Sequence, residues 1–152
     1  MDIRAVVMAG GSGTRFWPLS RVSKPKQFLP IAGPKTMIEE TVDRILPLIP
    51  PRNILTVANK IQSRTIKKLL PCLPAKNILV EPQGRNTAPS LILATAWIYL
   101  QNPEAVLAVL PSDHVIKNAP AFRKKLRAAT GVAFEDEFLV TFGIPPTYPV
   151  TG

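Results

Sequence analysis

The sequence predicts an α/β fold, with a Rossmann-like, mostly parallel sheet and helices on both faces. Three observations carry this expectation. Strand-like apolar runs alternate with segments of helical periodicity along the whole chain. Prolines gather between those segments as punctuation, at Pro47, Pro50 and Pro51, at Pro71 and Pro74, and at Pro145, Pro146 and Pro149. A glycine-rich turn, Gly10-Gly11-Ser12-Gly13, directly follows the first apolar run.

Residues 4–8 read as a buried first strand. Thr36 and Glu39 have capping-box spacing, so a helix starts at Thr36; Ile38, Val42, Ile45 and Leu46 form its apolar stripe and Pro47 ends it. Residues 53–58 form a second strand. Ser63 is placed to cap a short basic helix ending near Leu70, and residues 77–80 form a third strand. The next helix opens at Asn86 or Thr87, with Pro89 in its first turn where a missing N–H is harmless, and runs to about Leu100. Leu91, Ile92, Leu93, Ala96, Trp97 and Ile98 make it apolar almost all round, which predicts deep burial. Residues 105–110 are an apolar fourth strand, and residues 120–133 a surface helix carrying Arg123, Lys124, Lys125 and Arg127. Residues 138–142 are a fifth strand. Right-handed crossovers then place the glycine turn, Glu81 and Asp113 on one edge, at the carboxyl ends of the strands, where such sheets bind ligands.

The 152 residues, 46% of them hydrophobic, suit one domain with a substantial core. Nineteen Lys and Arg against ten Asp and Glu give a net charge of +9. A charge of this size suits nucleic acid, an anionic membrane surface or an anionic small substrate. The basic residues are spread over the chain without interleaved aromatics, so a solvated basic surface is expected and no nucleic-acid partner. Cys72 is the only cysteine, which excludes an intramolecular disulfide; after Leu70-Pro71 it is expected to be a buried structural thiol. Arg4 interrupts the N-terminal apolar run, so no signal peptide is expected, and no apolar stretch approaches the ~20 residues of a membrane span. A cytoplasmic protein with no membrane partner is the expectation.

The glycine turn is not the dinucleotide fingerprint, because Phe16 stands where the third glycine belongs, and it is not a P-loop, because no Gly-Lys-Ser/Thr follows. A plain strand-to-helix turn explains the glycines alone. Arg15, and Lys26 in Lys24-Pro25-Lys26-Gln27, add the fixed positive charge that a polyphosphate needs beside bare amides. Lys24 and Arg21 are read as solvated. Asp113, just past the fourth strand, suits either a turn or an Mg²⁺ ligand; Mg²⁺ takes one or two carboxylates plus substrate phosphates. His114 beside it has no evident catalytic partner. In Glu81-Pro82-Gln83-Gly84-Arg85-Asn86-Thr87, Asn86 or Thr87 is a natural helix cap, while Glu81 can accept from the ring N–H and exocyclic amine of guanine, an edge adenine lacks.

These segments resemble the sugar-1-phosphate nucleotidyltransferases, and within them the mannose-1-phosphate guanylyltransferases (GDP-mannose pyrophosphorylases). The likeness lies in GGSGTRFWPLSR with PKQF, EPQGRNTAP, LPSDHVI and VTFGIPPTYPVTG, and it spans essentially the whole chain. It implies an enzyme that makes GDP-mannose and pyrophosphate from GTP and mannose 1-phosphate with Mg²⁺ as cofactor. Carried onto this chain, Gly10, Gly11, Ser12, Gly13 and Thr14 hold the nucleotide and Arg15 neutralises the leaving phosphates. Lys26 bridges the α-phosphate and the attacking phosphate, Glu81, Asn86 and Thr87 lie against the nucleoside, and Asp113 holds the metal. The family's catalytic domain is longer, so the chain is expected to correspond to its N-terminal, nucleotide-binding portion. Later sugar-pocket motifs, a second metal-binding aspartate and a C-terminal β-helix would lie outside it. Alone it is not expected to complete turnover, whether or not it binds GTP, and it is expected to self-associate through uncovered apolar surface; the full-length protein is expected to be a homo-oligomer. Rival expectations are a nucleotidyltransferase using UTP or dTTP, and a non-catalytic nucleotide-binding fragment. An NAD-dependent dehydrogenase is disfavoured by the missing third glycine.

Overall fold

Ala5, Val6 and Val7 are all fully buried, so the first strand, β1 (Ile3–Met8), has both faces covered. The computed structural model describes residues 1–11, 17–21, 24–84, 86–135 and 138–145. Within them β1 pairs in parallel with β2 (Ile54–Ala58) on one side and β4 (Val106–Pro111) on the other, and β2 pairs with β3 (Ile78–Val80). The order is β3-β2-β1-β4. Successive strands therefore add in one direction from β1 and then in the other, and the reversal lies between β1 and β4. Ligands of open α/β sheets sit at such a switch point, at the carboxyl ends of the strands.

Strand alternation sorts the core into two layers. Ala5, Val7, Ile54, Ala58, Ala108 and Leu110 face the helices α1 (Met37–Ile45), α2 (Lys60–Leu69) and α4 (Ala119–Glu135), through Ile38, Val42, Ile45, Ile66 and Leu126. Val6, Leu55 and Val57 face α3 (Thr87–Tyr99), through Ala94 and Ile98. The expected parallel sheet with helices on both faces is therefore present. The helix α1 starts as its sequence predicts: Thr36 accepts from the Glu39 amide, and the Glu39 carboxylate accepts from the Thr36 amide at 2.8 Å.

Four expectations need correction. Residues 138–142 form no strand. Leu139 is fully exposed, and Phe142 rests instead against Phe122 of α4, with ring centroids 6.0 Å apart. Its apolar character suits a strand, but here side-chain packing on a helix wins over backbone pairing. The helix α3 is not deeply buried: Ser90, Ala94 and Ile98 are covered, while Ile92, Tyr99 and Leu100 are exposed. Among the described residues it is the one α-helix on its face of the sheet, so nothing lies over its outer side. The cap of α2 is Asn59 and not Ser63; Asn59 accepts from the Ile61 and Gln62 amides, and Ser63 sits inside the helix, donating to the Lys60 carbonyl. Cys72 is exposed, because it lies in the turn after α2 rather than on the apolar face. No helix among the described residues is long and apolar enough to cross a membrane.

The amino end of the sheet is tied by Asp2. Its carboxylate accepts from Asn53 Nδ2 at 2.8 Å, Arg4 Nε at 2.9 Å and Asn102 Nδ2 at 2.9 Å. Burial acts to raise its pKa, but the bonds from Asn102, Arg4 and Asn53 outweigh it and hold the carboxyl below its ordinary value of 3.8. A lowered folded-state pKa stabilises the fold above the unfolded value, and that contribution is lost as pH falls through the folded value. Asp2→Asn is therefore expected to lower stability by about 1–2 kcal/mol at pH 7, from weakened bonds to a charged acceptor. The difference should shrink towards zero in urea titrations carried out below the folded-state pKa.

Candidate functional site

The carboxyl edge begins where β1 runs into Ala9, Gly10 and Gly11. Two buried amides fix this turn. Gln27 Nε2 donates to the Ala9 carbonyl at 2.7 Å and to the Gly11 carbonyl at 3.1 Å, and Gln62 Nε2 donates to the same Gly11 carbonyl at 3.1 Å. Gln62 cannot turn round, because its Oε1 accepts from the Asn59 amide. Carbonyl and N–H point in opposite directions across a trans peptide. Holding the Ala9 carbonyl against Gln27 therefore directs the Gly10 N–H away from it. Of the predicted loop residues, Ser12, Gly13, Thr14 and Arg15 lie outside the described residues.

Lys26 opens a short 3-10 helix, Lys26–Phe28, which brings its side chain to the loop after β4. Lys26 Nζ lies 3.5 Å from Asp113 Oδ2, joining positions 87 residues apart. The Asp113 loop is held from two sides. Ser112 donates through its hydroxyl to the Met8 carbonyl at 2.7 Å, fastening the end of β4 to β1. Arg44 of α1 donates to the His114 carbonyl at 3.1 Å, and its guanidinium sits 5.9 Å from the Phe122 ring centroid. Burial lowers the Arg44 pKa and Glu40 opposes that shift. A guanidinium stays charged under such conditions, so Arg44 adds positive potential beside the site.

Glu81 follows β3, and its amide donates to the Ala58 carbonyl at 3.0 Å. Its side chain turns under the start of α3, where Ser90 donates to Oε2 at 2.7 Å. The other oxygen, Oε1, borders Gly10 so closely that a Cβ built there would lie 2.8 Å from it. Asn86 occupies the cap position of α3, but its side chain makes no cap bond. Its φ of 64° is uncommon for any residue but glycine and marks local strain at this edge. Thr87 is the first, exposed residue of the helix.

The edge thus gathers Gly10, Gly11, Lys26, Glu81, Asn86, Thr87 and Asp113. Among the described residues no three His, Cys, Asp or Glu side chains converge. Asp113 is a single half-exposed carboxylate. A lone carboxylate on an open edge suits Mg²⁺, which fills its remaining positions with water and phosphate oxygens, and does not suit a closed protein cage. Sequence reasoning assigned no role to Gln27, Gln62, Ser90, Ser112 or Arg44. For Gln62 a signal existed: it stands three residues after Asn59, the spacing of a capping box.

Comparison with known proteins adds a family. The nucleotidyl transferase family model matches residues 4–152. Over 99% of its length the chain is 44% identical to xanthan biosynthesis protein XanB of Xanthomonas campestris, covering 32% of that protein. It is 40% identical to a mannose-1-phosphate guanylyltransferase of Klebsiella pneumoniae, over 97% of this chain and 31% of the relative. A solved structure described as mannose-1-phosphate geranyltransferase from Thermus thermophilus superposes with a TM-score of 0.80 at 38% identity, over 89% of this chain and 39% of that one. The chain spans about a third of the length of the curated relatives it matches.

Proposed function

The chain belongs to the nucleotidyl transferase family, and from that premise we propose that it binds GTP with Mg²⁺ and serves guanylyl transfer to mannose 1-phosphate. The observation that carries this reading is the Lys26–Asp113 pair at the β1/β4 switch point. It sets one cation for phosphate and one oxygen ligand for a metal side by side, on the edge where the glycine turn presents its backbone. Relatives named mannose-1-phosphate guanylyltransferase support the choice of GTP and sugar phosphate.

In this reading an oxygen of the sugar phosphate attacks the α-phosphorus of GTP in line. One P–O bond forms, the bond to the bridging oxygen of the β-phosphate breaks, and pyrophosphate leaves. No covalent enzyme intermediate is involved, so catalysis rests on positioning and charge. Gly10, Gly11, Ser12, Gly13 and Thr14 cradle the nucleotide, and Arg15 grips the β- and γ-phosphates. Lys26 draws the α-phosphate and the attacking phosphate together. Glu81 accepts from the guanine edge, with Asn86 and Thr87 against the nucleoside. Asp113 is the residue that would hold Mg²⁺, whose contribution is neutralisation of phosphate charge.

Calorimetric titration with GTP, ATP, UTP and dTTP, with and without Mg²⁺, tests the proposal. The expected result is selective, Mg²⁺-dependent GTP binding, and Arg15→Ala should abolish that binding, because Arg15 serves the phosphates that every nucleotide shares. Preference for UTP or dTTP would move the chain to another nucleotide class, and no binding by a folded sample would overturn the reading.

A further inference from the structure

We propose that Ser90 is a specificity-positioning residue, holding one oxygen of the Glu81 carboxylate so that the other is presented to the purine base; this rests on the GTP-binding reading above. Ser90 lies in the first turns of α3 and is 6% exposed. Its hydroxyl has two acceptors in reach, Glu81 Oε2 at 2.7 Å and the Asn86 carbonyl at 3.1 Å. A hydroxyl has one proton to give. The shorter, charge-assisted contact takes it, so the proton belongs to Glu81 and the bond back to the helix is the secondary one. Among the described residues Ser90 is the one side chain that donates to this carboxylate, and Glu81 is itself only 8% exposed.

The two carboxylate oxygens therefore have different surroundings. Oε2 is anchored. Oε1 borders two residues without side chains: a Cβ on Gly10 would lie 2.8 Å away and one on Gly84 3.7 Å away. Oε1 can lie this close to both backbones because both positions are glycine, and it brings an acceptor of N–H groups to the glycine turn. Guanine offers a ring N–H and a 2-amino group on one edge. Adenine presents a bare ring nitrogen there, which a carboxylate repels. Hypoxanthine keeps the ring N–H and lacks the amine. A carboxylate free to rotate about its last bond takes either partner in several poses, whereas one held at Oε2 favours a single pose. Ser90 thereby sharpens the choice between bases without touching the nucleotide.

The test compares GTP with ITP, each with Mg²⁺, on the wild-type chain, Ser90→Ala and Ser90→Thr, with the melting temperature of each. A single N–H bond to a charged acceptor corresponds to roughly tenfold or more in affinity, so wild type should prefer GTP by about that factor. Ser90→Ala should lower GTP affinity by about five- to tenfold and leave ITP nearly unchanged, collapsing the preference. Ser90→Thr, which keeps the hydroxyl, should restore it. A changed melting temperature with an unchanged GTP/ITP ratio would assign Ser90 a structural role only and overturn the inference. A wild type that binds GTP without preferring it over ATP would overturn base selection by Glu81 itself, and this inference with it.

Discussion

Lys26→Ala is expected to weaken Mg²⁺–GTP binding by about 10- to 100-fold, the range for losing a hydrogen bond between charged groups. Asp113→Asn should act differently. It removes the carboxylate that faces Lys26 at 3.5 Å and keeps its shape. Without added metal, the pull of that acid on Lys26 no longer competes with phosphate, and GTP affinity should rise slightly. With Mg²⁺ the usual enhancement should vanish. The two variants thus move metal-free binding in opposite directions. Asp113→Asn should not change the melting temperature much, because Asp113 is 44% exposed and a pair so open to solvent contributes about 0–1 kcal/mol. Titration with and without Mg²⁺ reads both effects; an Asp113→Asn protein whose GTP binding Mg²⁺ still enhances as in wild type would remove Asp113 from the metal site.

Gly10→Ala is expected to disturb base recognition more than its size suggests. The new methyl would stand 2.8 Å from Glu81 Oε1, inside contact distance, and 3.7 Å from Cδ, in ordinary contact. A long side chain usually gives way cheaply. This one is buried and fastened at its other oxygen by Ser90, so either that bond or the glycine turn must shift. The turn in turn is held by Gln27 and Gln62. A cost of about 1–3 kcal/mol in stability follows from overpacking, together with loss of preference for GTP. If the clash with the carboxylate is the cause, Glu81→Ala in the same chain should return most of that stability, leaving preference lost. The two substitutions would then be strongly non-additive in denaturant unfolding. Additive costs would mean that the alanine harms the turn by another route.

The parts of this protein written in local pattern were legible in its sequence. Thr36 and Glu39 form the capping box their spacing predicts, and the apolar runs become β1 to β4 in the expected parallel arrangement. Lys26 and Asp113 were singled out separately and meet in space because the strand order puts β4 beside β1. What escaped reading depends on layers and distant partners. Asn59 and Ser63 are both good capping residues, and only the start of the buried face decides between them. The burial of α3 depends on what lies outside it, which its own composition does not reveal. Residues 138–142 carry strand-forming side chains, yet a strand needs a neighbour in register, and Phe142 found a helix instead. Gln62 reaches a carbonyl 51 residues away, a contact no local spacing announces.

The strand order also sets a timetable for the newborn chain. β1 leaves the ribosome before the other three strands and ends as an inner one, with β2 on one side and β4 on the other. Its partners along β4, such as Val106 for Ile3, lie about a hundred residues downstream. At the roughly 5–20 residues per second of translation, β1 waits on the order of 5–20 s before that second neighbour exists. Through that interval a sticky apolar ribbon has at least one flank unsatisfied, and both until β2 is made. Nascent copies crowded on one message are then close enough to zip together, and a holding chaperone acting before β4 is made should raise the yield of folded protein more than one acting after release.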